Sequence, residues 1–80
     1  MKAEAYKEMR EWLATQLDGS LKMVENLEEL RRTEKNAAGL ENLTRSLMHW
    51  EGRVCQIRRS LDFVSRKEET FSAAVMGDAV

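Results

Sequence analysis

Between Leu40 and Val64 the apolar residues recur at alternating steps of three and four without a miss: Leu40, Leu43, Leu47, Trp50, Val54, Ile57, Leu61 and Val64. Such a 3.5-residue repeat, held over nearly four heptads, keeps one stripe of a helix turned toward a neighbour along its whole length. A long helix with so narrow a stripe cannot bury it alone, so the pattern calls for another helix.

The first half carries its own stripe, Tyr6, Met9, Leu13, Leu17, Leu21, Val24, Leu27 and Leu30. Placed in a heptad frame, Tyr6, Leu13 and Leu27 take d and Leu17 and Val24 take a. Arg10 and Arg31 then interrupt the a positions, and Ser20 falls at a d. This seam is less perfect than that of the second half.

The stretch Thr33-Glu-Lys-Asn-Ala-Ala-Gly39 separates the two stripes. Asn36 reads as a helix stop or a cap for the next helix, and Gly39 as a place for a sharp change of backbone direction. Reversal here predicts an all-α, antiparallel two-helix hairpin of coiled-coil type. Helix one runs over about 3–34, the turn over about 35–39 and helix two over about 40–70, each helix roughly 45 Å long. Pairing sets Leu30 near Leu43, Val24 near Trp50, Leu17 near Ile57 and Leu13 near Leu61, with Ser20 opposite Val54.

Asp18-Gly19-Ser20 offers a second break, because Asp-Gly favours turns and Ser20 could cap a new helix. That alternative gives three helices, near 3–17, 20–34 and 38–68. The stripe nevertheless passes through the break in phase, which a turn would normally reset, so the continuous hairpin is preferred. Past Lys67 the pattern weakens. Phe71 and Val75 keep the frame, but helix one has no residues left to face them, and 71–80 is expected to fray or to dock on a partner.

Composition sharpens the expectation of assembly. A chain of 80 residues is one small domain, and at that size folding buries only about 60% of the unfolded surface. Disulfides, metals or association are the usual remedies. Cys55 is the single cysteine and has no intrachain partner. His49 and Cys55 lie six apart and so point in different directions on a helix, which argues against a metal site. Association remains: the hairpin is expected to complete a helical bundle with a copy of itself or with a helix of another protein.

Lys and Arg number 13 against 14 Asp and Glu, which argues against a general polyanion binder. No apolar run follows the charged N-terminus, and the uncharged run Thr70–Gly77 falls far short of the ~20 residues of a membrane span. With one thiol and no leader, the expected location is cytoplasmic.

Beside the seam of helix one, positions c and g hold Ala5, Met9, Trp12, Gln16, Gly19, Met23, Asn26 and Leu30. Trp and Met are enriched at protein contacts, and small residues let another backbone approach. Met9, Trp12, Gln16, Gly19, Met23 and Leu30 are therefore the expected partner-binding residues. The competing reading is that the stripe covers the flank of helix two within the hairpin. On helix two Arg45, Arg59 and Arg66 share position f and form a sparse basic line. It could meet phosphates of RNA or DNA or an acidic partner, or be a solvated face. No aromatic residue lies among these arginines to stack a base.

No nucleophile, acid–base pair or ligand cluster points to catalysis, and no cofactor is expected. The terminal Gly77-Asp78-Ala79-Val80 could add as a strand to a peptide-binding domain, though a frayed tail is the simpler reading. The expected function is a non-enzymatic interaction module, with a dimeric nucleic-acid-binding hairpin or a purely structural oligomer as alternatives. In size, acidity and design the chain is similar to the small helical co-chaperones of bacterial type III secretion. It also resembles the plasmid-copy-control hairpins that dimerise and bind RNA. Both likenesses rest on architecture, not on a motif.

Overall fold

A computed structural model describes the backbone of residues 2–78 and the side chains of residues 4–71 and 73. Two helices, α1 (Lys2–Thr33) and α2 (Ala37–Asp78), pack side by side as an antiparallel hairpin. The molecule is a rod of 65 × 15 × 14 Å, the shape of two helices without a third layer.

The connection is shorter than the expected turn, occupying residues 34–36. Asn36 ends it as the N-cap of α2: its Oδ1 accepts from Ala38 N at 2.8 Å and Gly39 N at 3.4 Å, two otherwise orphaned donors of the first turn. Glu34 folds back so that its Oε1 accepts from Asn36 N at 3.0 Å. Gly39 is not the site of the backbone change. It lies inside α2 with ordinary helical geometry, and its use is space, since a Cβ there would stand 2.7 Å from the Glu34 side chain.

No break occurs at Asp18-Gly19-Ser20, and the three-helix alternative falls away. The apolar stripe is in register on both sides, Asp18 pairs with Lys22 one turn on at 3.1 Å, and Ser20 is 3% exposed inside the seam. The second difference lies at the far end. Residues 71–78 continue α2 instead of fraying, while Ala79 and Val80 lie outside the described residues. Helix one does supply a neighbour for Phe71: the Tyr6 ring meets it edge-on with centroids 6.5 Å apart.

The heptad frame holds along both helices. Leu47, Val54, Ile57 and Val64 of α2 are buried, and the other four apolar seam positions between Leu40 and Leu61 are half-buried. Opposite them Leu13 is buried and joins Ile57 and Val64 in one cluster, flanked by Tyr6, Leu17 and Leu61. Met9 and Leu30, outside the a and d positions, are exposed. Thus the frame, not hydrophobicity alone, decides which apolar residues of α1 the hairpin buries.

Candidate interaction face

In an antiparallel pair the g positions of one helix adjoin the g positions of the other, and the e positions likewise. The hairpin obeys this rule: Arg53 Nη2, at g of α2, donates to Gln16 Oε1, at g of α1, at 3.4 Å. The c and g positions of both helices therefore form one continuous flank, and the e and b positions form the other.

At the open end of the c/g flank lies a hollow of about 520 Å³ between the helices, with Met9 and Trp12 on one side and Ser60 and Phe63 on the other. Leu13 and Val64 floor it, and Arg59 edges it. Trp12 is 61% exposed, Phe63 62% and Met9 51%. Large apolar side chains gathered in a hollow at such exposure mark a contact surface more often than chance scatter does. The hairpin leaves this stripe uncovered, so the reading in which it shields the flank of helix two fails at Met9 and Trp12.

Gln16 and Gly19 line a smaller depression, of about 250 Å³, further along the same flank, with Thr15, Ser20, Trp50 and Arg53. Above Gly19 the space is open, with nothing within 4 Å of where a Cβ would sit. Met23 and Leu30 continue the line toward the turn and are exposed as well. Phe63 was not among the expected site residues. Its signal was present in the sequence: it is a large aromatic at position c, off the seam of a helix whose seam is otherwise complete. Met48, 69% exposed at b, is a second such residue.

The arginines behave differently from a free basic line. Arg45 Nη2 pairs with Glu41 at 3.1 Å and Arg66 Nη2 with Asp62 at 3.0 Å, each one turn back on α2. Arg59 makes no ion pair among the described residues and lies beside hollows on both flanks. The cations that do meet aromatic rings are others, at position g of α2. The Arg53 guanidinium is 5.8 Å from the Trp50 ring centroid, and Lys67 Nζ is 5.4 Å from that of Phe63.

On the e/b flank a second hollow is lined by Leu21, Val24, Val54 and Cys55 and rimmed by Glu51, Arg58 and Asp62. Cys55 is exposed there, and the exposed His49 ring sits edge-on to Trp50 at 5.7 Å. Among the described residues no group of three or more His, Cys, Asp or Glu is placed to hold a metal ion. Among the described residues no helix is long and apolar enough to cross a membrane. No family model, curated protein or solved structure matches the chain, so its function is read from this face.

Proposed function

We propose that the chain is a non-enzymatic protein–protein interaction module, of the chaperone, scaffold or adaptor kind, acting in the cytoplasm. It packs the c/g flank of its hairpin against a further helical layer. The observation that carries this reading is the shared hollow of Met9, Trp12 and Phe63. These side chains keep half or more of their surface in water around a groove that the two helices leave between them. Covering such surface is favourable by about 25 cal/mol per Å², and a Trp in a pocket of this kind is the usual energetic anchor of an interface.

Arg59 favours a second reading, a phosphate contact, because it has no carboxylate partner among the described residues. That reading is weaker, since Arg45 and Arg66 are already offset by Glu41 and Asp62.

The test is parallel affinity isolation from the native host of the wild-type chain and of Trp12→Ala, with molar ratios measured and a second, differently tagged copy present. The expected result is a stoichiometric companion, copy or foreign protein, that the substitution removes. A companion held equally by both forms, or none at all, defeats the proposal. Recovery of salt-labile nucleic acid in its place selects the second reading.

A further inference from the structure

The two flanks of the hairpin differ in charge as well as in apolar exposure. No c or g position of α1 or α2 between Ala5 and Thr70 carries a carboxylate. The e/b flank holds most of the acidic residues, Glu11, Asp18, Glu25, Glu51 and Asp62 among them, against the fewer cations Lys7, Arg32 and Arg58. Two copies meeting through e/b flanks would oppose like charges, whereas the c/g flank of α1 is uncharged from Ala5 to Leu30. Between Ala5 and Thr70 the basic side chains of the c/g flank, Arg53 and Lys67, both stand on α2.

We infer that the occupant of the Met9–Trp12–Phe63 hollow is a second copy of this chain, in an inference that rests on the interaction reading above. The two hairpins pair through their c/g flanks about a two-fold axis parallel to the helices, forming a four-helix bundle. In that arrangement α1 of each copy lies on α2 of the other, so the uncharged stripe of α1 covers the basic stripe of α2. The cations of the two α2 helices are diagonal to one another and do not meet.

The register supplies a second, independent match. Leu13 clusters with Ile57 and Val64, centred on the level of Leu61; by the same spacing Glu8 is level with Arg66 and Glu29 with Arg45. All four residues occupy f, at the outer edges of the rod. A two-fold parallel to the helices preserves these levels, so each acidic f residue of α1 comes beside a basic f residue on α2 of the partner, whose one bond to Glu41 or Asp62 leaves further guanidinium donors to share. Trp12 likewise comes level with the partner's Phe63, gathering the aromatics of both copies in one layer. The size is adequate: a long side of 65 × 15 Å presents on the order of 1,000 Å², against ~800 Å² per partner for a standard stable interface. The apolar g positions of α1, Met9, Met23 and Leu30, are what a bundle helix needs beyond the narrow a/d seam of a two-stranded pair.

The experiment is sedimentation equilibrium from about 1 to 100 µM on the wild type, Glu29→Arg, Arg45→Glu and the double variant, with helical content followed on the same samples. The wild type is expected to be a dimer. Each single reversal should weaken it by about three- to tenfold, since every change strikes two symmetry-related rim contacts of the modest strength typical of exposed charges. The double variant should recover the wild-type constant to within about twofold. Cys55, on the other flank, should react with a thiol reagent equally fast in monomer and dimer. A monomer throughout, a species larger than a dimer, a double variant no better than the sum of its singles, or a Cys55 protected on assembly overturns the arrangement. A monomer that still holds a foreign companion through Trp12 overturns it too, while leaving the interaction reading in place.

Discussion

Arg10 and Glu68 face each other across the seam at a positions, where the rest of α2 carries Leu or Val. Arg10 Nε donates to Glu68 Oε2 at 2.8 Å, and the two side chains are 40% and 28% exposed. The hydrogen bond and the charge of Glu68 raise the arginine's pKa above its already high ordinary value. A raised pKa stabilises the fold at every pH below the unfolded value and is lost only as pH rises through the folded one, so this contact brings no pH dependence near neutrality. Ion pairs at seam positions specify register better than they stabilise. Arg10→Leu with Glu68→Leu should therefore melt at or above the wild-type temperature, while either single change should melt below it. Thermal denaturation at one protein concentration checks this, and a double variant less stable than both singles would contradict it.

Asn36 closes the turn through its side chain. Asn36→Ala should destabilise the chain by about 1 kcal/mol, the usual value of a lost N-cap, and Asn36→Asp should retain most of it. Urea unfolding at fixed protein concentration gives both numbers. Equal losses would mean that the turn is held by Glu34 instead.

Leu47 is 2% exposed and its neighbour Met48 69%. Leu47→Ala should cost about 2–5 kcal/mol, as deletions from a packed core do. Met48→Ala, on the e/b flank, should stay within roughly 0.5 kcal/mol. The comparison tests the seam directly, because a shift of the heptad frame by one residue would reverse the two effects.

The helical hairpin was legible because its seam on α2 is uninterrupted, and because Leu17, Leu21 and Val24 continue in phase past Gly19. Packing overrode the local turn signal of Asp18-Gly19, since a break there would have exposed Ser20 and the residues beside it. The end of α2 departs from the expectation of fraying past Phe71 for a related reason. The register that sets Leu13 near Leu61 puts Phe71 level with residue 3, past the first apolar seam residue of helix one, whereas Tyr6 reaches Phe71 and Arg10 reaches Glu68 by long side chains. On the site, Met9 and Trp12 were visible as apolar residues off the seam. Phe63 obeys the same criterion on α2 but becomes part of the face only when folding sets it across a groove from Trp12. The pairing of Arg45 and Arg66 was open to reading too, because Glu41 and Asp62 stand one turn before them at the spacing that favours such contacts.

Gly52 and Gly19 allow the same chemical change on two sides of the rod. Both lie within helices with ordinary backbone angles, and a Cβ added at either would meet nothing within 4 Å in the isolated hairpin. Replacing a mid-helix glycine by alanine removes backbone freedom from the unfolded chain and should stabilise by about 0.5–1 kcal/mol. At Gly52, position f on the outer edge of α2, that gain should appear in full with association unchanged. Gly19 sits at c, in the depression beside Gln16 and Arg53. There the added methyl group should raise the helical stability of the separate chain by a similar amount and yet weaken assembly, because it stands where a neighbouring backbone would come closest. Gly19→Leu should weaken assembly further while keeping the helix. Circular dichroism at low concentration and the dissociation constant, measured on the same three variants, separate the two effects. If Gly19→Ala leaves association as unchanged as Gly52→Ala does, no close contact forms at that level of the c/g flank, and the interface must be confined to the Met9–Trp12–Phe63 end.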